Sequence, residues 1–255
     1  MKKYLLLVAC SLTAMIGARG QEYRVKRSTG KLIVSLPAVV IEGYSGNEIV
    51  FSSKPKETEI DPKAVGLQTI NTAGYLDNSG LGISVVEKGN TVEVNEVIEN
   101  LDIKILVPKG MILSFVCNKV TAGAKVIFRN MDNEIEIDAY DNILLLDHVT
   151  GPLTARSLYG PIDVVFTGPV KGPVSIATIY GAIDVAIPVA TKANMQLKSI
   201  HSPIMTSPDL KIEMEKHEPE PVGSHATSIA GKLNGGGTDL WLNSKFGKIY
   251  LRKTQ

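Results

Sequence analysis

The chain has 255 residues, 27 Lys and Arg against 26 Asp and Glu, and a net charge of +1. A nucleic-acid partner is not expected of it, because that footprint needs clustered basic residues. Of two cysteines only Cys117 falls in the part expected to fold. No internal disulfide is therefore expected, and a chain of this size removes about 70% of its unfolded surface from water without one.

Residues 1–20 have the three-part layout of a secretory signal peptide: Lys2 and Lys3, a mostly apolar run from Tyr4 to Ile16, and Ala18-Arg19-Gly20 ahead of Gln21. Leu7-Val8-Ala9-Cys10 offers a second reading, a lipoprotein box that would leave Cys10 acylated. Its apolar run is shorter than the roughly 7–15 residues of such segments, so cleavage before Gln21 is the reading taken. Later segments lack the ~20 apolar residues of a spanning helix. The short basic cluster Arg24, Lys26, Arg27 and Lys31 flanks a first strand and reads as a solvated edge.

Residues 21–100 are β-rich and irregular, and read as an N-terminal cap. Lys31–Leu36, Val39–Glu42 and Glu48–Phe51 alternate like strands. Ile83–Glu87 and Thr91–Val94 flank Lys88-Gly89-Asn90 as a hairpin. Asp61–Leu81, scattered with Pro, Gly and Asn, reads as a long loop.

Residues 101–255 carry a repeat. Gly151-Pro152-Leu153-Thr154-Ala155-Arg156-Ser157-Leu158-Tyr159-Gly160-Pro161-Ile162-Asp163-Val164 recurs 21 residues later as Gly172-Pro173-Val174-Ser175-Ile176-Ala177-Thr178-Ile179-Tyr180-Gly181-Ala182-Ile183-Asp184-Val185. A fainter copy follows with Met195, Leu197, His201 and Ile204, and a last one ends the chain with Leu240, Leu242, Phe246, Gly247, Ile249 and Leu251. An upstream relative contains Ile135, Ile137, Tyr140, Ile143 and Leu145. Each copy holds two short alternating runs closed by turn residues, so each is two strands. A unit this small cannot bury its own apolar face, and stacking identical units does it instead. The expectation is an all-β solenoid or roll of short parallel strands in coils of about 21 residues, continuous with the cap as one domain. A sandwich of antiparallel hairpins is the competing fold. Glu213–Ser228 is a polar, Pro-containing insertion before the final rung.

Val40-Ile41-Glu42-Gly43-Tyr44-Ser45-Gly46-Asn47-Glu48-Ile49, Gly80-Leu81-Gly82-Ile83-Ser84-Val85, the Gly-x-Ile rungs, Ile229–Gly237 and Phe246–Lys253 together resemble the adhesin-like family of bacterial cell-envelope domains, in its Bacteroides-like versions. The resemblance spans nearly the whole mature chain. It implies a β-solenoid exported to the envelope, in the periplasm or at the surface, and brings no catalytic residues. Tyr159, Tyr180 and Phe246 stand where that family more often has a small polar residue.

Candidate chemistry is sparse. Pectin-cleaving β-helices use Asn-x-Asp, an Asp pair, Gly-His-Gly and a late Arg-x-Lys, with carboxylates flanking the bond. Here Asn130-Met131-Asp132 and Arg24-Val25-Lys26 occur alone, and the latter at the wrong end. A polysaccharide-acting enzyme is thus the minor alternative. Asp163 and Asp184, equivalent in adjacent coils, could share a proton or metal, but strand spacing alone produces such pairs. His217, Glu218, Glu220 and His225 lack the tight spacing of zinc sites. His148 and His201 are isolated, Gly235-Gly236-Gly237 has no helix after it to make a phosphate loop, and Cys117 reads as a buried small hydrophobe. No cofactor and no metal site are expected.

One column stands out: Tyr159, Tyr180 and His201, with Phe246 at the same place in the last copy. Such rings either pack on one another or present a ligand platform, the packing role being the reading taken. Trp241, out of phase with Leu240 and Leu242, should point outward. The function expected is a non-enzymatic envelope protein, either a binding scaffold for glycans or surface proteins or a structural component. The export reading makes a first prediction. The intact mass of the protein secreted by its native host should correspond to a chain starting at Gln21, and a mass for a chain starting at acylated Cys10 would refute it.

Overall fold

A computed structural model describes residues 21–54, 62–215 and 226–254. Residues 1–20, expected to be an export segment and including Cys10, and the cluster His217, Glu218, Glu220 and His225 lie outside the described residues. After β1 (Glu22–Val25), β2 (Gly30–Ser35) and β3 (Val39–Tyr44) form a coil, followed by β4 (Ile49–Ser53). The hairpin of β5 (Ile83–Lys88) and β6 (Thr91–Glu96) leads into β7 (Ile103–Pro108). Four coils then succeed one another: β8 (Met111–Cys117) with β9 (Lys125–Met131), β10 (Ile135–Ala139) with β11 (Ile143–Val149), β12 (Leu153–Ser157) with β13 (Ile162–Phe166), and β14 (Val174–Thr178) with β15 (Ile183–Ile187). β16 (Ala193–Ser199) and β17 (Ile204–Thr206) make a further coil. After β18 (Ile212–Met214) and β19 (Thr227–Leu233), the last coil is β20 (Thr238–Ser244) with β21 (Ile249–Lys253). The one helix among the described residues is a single 3-10 turn, Pro62–Ala64.

The first strand of every coil joins an 11-stranded sheet and the second a 10-stranded sheet. The coils pair in parallel, which excludes the sandwich of antiparallel hairpins. Alternation decides what faces inward. In β12, Leu153, Ala155 and Ser157 are buried while Thr154 and Arg156 are exposed. Parallel register then stacks like on like: Leu32, Leu113, Ile135, Leu153, Val174 and Leu240 form one inner column. Ile41, Phe128, Leu146, Val164, Val185 and Leu251 form another in the facing sheet. All are buried in one continuous core. Phe115 and Phe128 of the same coil meet edge to face across it, 6.1 Å apart.

The order of coils in space departs from their order in sequence at both ends. β20 lies between β14 and β16, and β21 between β15 and β17. The final copy therefore does not end the ladder; it is inserted inside the copy that precedes it. At the other end β2 lies between β6 and β8, and β3 between β7 and β9. The region 21–100 thus supplies an internal coil as well as end closure. Antiparallel strands finish three of the four sheet edges: β1 and β4 outside β7, β5 outside β6, and β19 and β18 outside β16; the fourth edge is the short parallel strand β17. Turning the last strands antiparallel ends the repeating parallel edge that would otherwise accept another coil.

The repeated coils are interchangeable in register, because Leu153 pairs with Val174 as Val174 pairs with Leu240. Deleting Gly172–Lys192 removes β14 and β15 and sets β12 and β13 against β20 and β21. The five-residue link 167–171 then spans the same one-coil gap that 188–192 spans now. This variant should unfold in one cooperative denaturant transition with β-rich circular dichroism. Loss of that cooperativity would contradict the stacking described.

Candidate functional site

The corner between the two strands of a coil repeats one pattern: a small inward hydroxyl, an apolar residue or lysine, a ring, then a small residue. It reads Ser157-Leu158-Tyr159-Gly160, Thr178-Ile179-Tyr180-Gly181, Ser244-Lys245-Phe246-Gly247 and Ser199-Ile200-His201-Ser202. The hydroxyls are buried; those of Thr178, Ser244 and Ser199 hold their turns, while Ser157 Oγ has no hydrogen-bond partner among the described residues. Thr178 Oγ1 donates to the Gly181 carbonyl at 2.6 Å, and the Gly247 N–H donates to Ser244 Oγ at 2.9 Å. The glycines are required by close approach. A Cβ on Gly160 would sit 1.9 Å from the Asn142 carbonyl oxygen, on Gly181 2.0 Å from that of Gly160, and on Gly247 1.9 Å from that of Gly181. No side chain fits such a gap, since even backbone carbonyls reach into it.

Backbone hydrogen bonds continue through these corners: Tyr159 N–H to Tyr140, Tyr180 to Leu158, Phe246 to Ile179 and His201 to Lys245. The ring-bearing residues are thereby held one strand spacing apart. The rings follow. Tyr159 and Tyr180 stack with centroids 5.0 Å apart, Tyr180 and Phe246 5.1 Å apart, and Phe246 and His201 4.9 Å apart, all within 8° of parallel. Tyr140 closes one end edge-on to Tyr159 at 5.2 Å. The four predicted ring residues thus come together, in the spatial order Tyr159, Tyr180, Phe246, His201 rather than the order of the chain. Tyr159 and Tyr180 are about half exposed, at 48% and 51%. Their faces lie against neighbouring rings, so what meets solvent is ring edge and hydroxyl. Lys245 caps the Phe246 ring at 5.4 Å from its centroid.

Trp241 does not belong to this ladder. It stands outward between Ser175 and Gln196, 41% exposed, on the outer face of the 11-stranded sheet. Asp163 and Asp184 are register partners. Burial and the neighbouring Asp184 carboxylate push the Asp163 carboxyl upward, while Arg252, 2.7 Å from Asp184, counters part of that charge. The pair is a charge cluster with its own cation. His148 Nδ1 lies 2.7 Å from a carboxylate oxygen of its half-exposed neighbour Asp147. Cys117 is buried, and that burial pushes its thiol upward, away from reactivity.

The sequence reading missed a groove of about 530 Å³ beside the ladder, on the outer face of the 11-stranded sheet. Leu158 and Ile179, each one residue before a ring position, are apolar in adjacent coils; Lys245 holds the same position in the next coil and Ile200 in the one after. Ala177 forms a low point between Arg156 and Asn243, its register neighbours. Asp138, Arg156 and Lys245 are its charged lining residues. The lining crosses six coils, from Asn118 just after β8 to Ile200 just after β16, or about 24 Å at one strand spacing per coil. A signal for it existed: Leu158, Ile179 and Ile200 are apolar just where the strand's inward alternation has ended.

No family model matches the chain, and no curated protein matches it. Solved structures similar to it include a Clostridium sporogenes protein provisionally named for cell adhesion, 11% identical with a TM-score of 0.42, covering 92% of this chain and 100% of that one. A Bacteroides fragilis protein provisionally named an adhesin is 12% identical with a TM-score of 0.33, covering 93% and 98%. A Parabacteroides distasonis protein provisionally named lipid-binding is 8% identical with a TM-score of 0.28, covering 93% and 98%.

Proposed function

We propose that this protein is a non-enzymatic binding protein of the cell envelope that holds an elongated ligand in the groove beside its aromatic ladder. The carrying observation is the groove itself: Leu158 and Ile179 lie apolar in adjacent coils, Lys245 follows in the next and Ile200 in the one beyond, on a surface whose other outward positions are mostly polar. Its volume falls within the roughly 300–1,000 Å³ of small-ligand sites. Parallel coils make its floor rigid, because each floor residue is fixed by strands on both sides. No helix among the described residues is long and apolar enough to cross a membrane.

A structural role for the ladder accompanies this reading. The stacked ring faces of Tyr159, Tyr180, Phe246 and His201 favour packing over face-on sugar binding, and leave ligand contact to the groove. The two roles separate by mutation. Replacing Tyr159 and Tyr180 by Ala removes three ring contacts, each contributing about 0.5–1.5 kcal/mol. That double variant should lose about 2 kcal/mol of unfolding free energy in a denaturant melt. Ala177→Trp, which fills the groove from an outward position, should leave the melt unchanged. The same variant should abolish saturable binding of the anionic apolar dye ANS, or of whichever arrayed envelope glycan the parent binds. If neither dye nor glycan binding depends on Ala177, the groove is not a binding site and the reading fails.

A further inference from the structure

Resting on the groove as a binding site, we infer that its ligand is an oligosaccharide in which acidic and neutral sugars alternate, with one acid seated mid-groove between Arg156 and Lys245. The lining is mixed in character. Leu158, Ala177 and Ile179 form an apolar floor over two adjacent coils. Amides and charged groups surround that floor, with Asp138 and Arg156 on one side and Asn243 and Lys245 on the other. A pyranose has the same duality: C–H faces that pack on aliphatic side chains, and hydroxyls that need partners once taken from water. The lining also holds an unmet polar group. Ser157 is 5% exposed and its hydroxyl has no partner among the described residues, whereas those of Thr178 and Ser244 are held in their turns. A buried hydroxyl left unpaired is costly, and a hydroxyl-rich ligand is of the kind that supplies the partner.

The charges define where the acid sits. Arg156 and Asn243 flank Ala177 in register, one in the coil before it and one in the coil after, and Lys245 lies two residues beyond Asn243. Neither cation forms an ion pair with a described residue. Arg156 is unpaired even beside Asp138, its register neighbour, and Lys245 lies over the face of Phe246. A carboxylate above Ala177 meets a cation on either side, and charge-assisted hydrogen bonds of that kind are about twice as strong as neutral ones. A mid-chain acid suits this position, because the groove continues past it both ways, to Asn118 and to Ile200. Asp138 sets a second condition. One coil from Arg156, it repels a carboxylate on the next sugar along and accepts hydrogen bonds from neutral hydroxyls there. Hence the alternation, and not a run of acids. A peptide could carry the carboxylate too, but the groove lies on a sheet face and offers its backbone no strand edge to pair with.

The test is calorimetric titration of the chain from Gln21 onward with hyaluronan oligosaccharide, in which glucuronate alternates with a neutral sugar. Its carboxyl-reduced form, an oligogalacturonate of equal length and a peptide of alternating Glu and Ser run beside it. Hyaluronan should bind once per chain and displace ANS. The carboxyl-reduced form should bind at least about tenfold more weakly, for want of the charge-assisted hydrogen bonds. Arg156→Gln together with Lys245→Gln should bring hyaluronan down to that same affinity, and Ala177→Trp should abolish binding of both. Oligogalacturonate should bind more weakly than hyaluronan and recover with Asp138→Asn. Ser157→Ala should weaken hyaluronan binding severalfold without lowering the denaturant midpoint, because it removes an unpaired hydroxyl from the interior. Hyaluronan and oligogalacturonate both failing to displace ANS that itself depends on Ala177 would overturn the sugar assignment and leave the groove's binding role standing. Equal affinity for hyaluronan and its reduced form would overturn the role of the two cations, and tighter binding of the peptide than of either sugar would overturn the ligand class.

Discussion

Everything in this molecule depends on the closeness with which one corner sits on the next. At Gly160, Gly181 and Gly247 the carbonyl of the coil beneath occupies the space where a Cβ would be. That contact sets each coil one strand spacing above the last, with no lateral slip. The inner columns then superpose residue on residue, and each buried aliphatic side chain contributes about 1.5–3 kcal/mol. The ring that precedes each glycine has no freedom to do anything but stack. The aromatic ladder is therefore a consequence of corner geometry. The groove is a second consequence, since the residue before each ring is turned out of the core at the same height in every coil.

The second governing feature is the placement of the chain ends. A solenoid built in sequence order leaves its terminal coils paired on one side, free to fray and to accept a foreign strand. Here the first and last coils each have neighbours above and below. The ladder closes instead on antiparallel β1, β4 and β5 at one end, and on antiparallel β18 and β19 beside the short parallel edge strand β17 at the other. With the unpaired Cys117 as the only cysteine among the described residues, this fastening of the termini does what a cross-link does elsewhere. It also places the groove's Asn243 and Lys245 on a coil held from both sides, which gives the site a rigid floor.

Much of this was legible in the sequence, and the limits are physical. The 21-residue recurrence with period-two alternation favours stacked parallel coils over the competing sandwich, because stacking identical units buries so small a unit. It also places Tyr159, Tyr180, His201 and Phe246 in one column. The stacking order of the coils was not legible from alternation, since every rung presents the same apolar pattern to its neighbours and register alone cannot choose among them. A subtler signal did exist. The copy ending in Ile204, Met205 and Thr206 is faint because β17 lies at the sheet edge, where Met205 and Thr206 are exposed. The copy with Leu240, Leu242, Ile249 and Leu251 is strongly apolar because it is internal. The degenerate copy, and not the last one, was the true end of the ladder. The groove escaped notice because it is assembled across coils by residues that within any single copy look like unremarkable turn positions.

The central claim, that the last segment of the chain is an internal coil, is open to direct measurement by native-state hydrogen exchange. Terminal segments ordinarily exchange through local fraying, whereas core strands exchange only when the whole domain opens. The amides of Leu242 in β20 and Leu251 in β21 lie within the last turns of the chain, yet each strand is paired on both sides. They should exchange with the free energy of global unfolding, alongside Ile176 and Val185 and more slowly than the edge strand β17. Exchange of Leu242 and Leu251 by fraying, ahead of β17, would place the final coil at the end of the ladder and contradict the account.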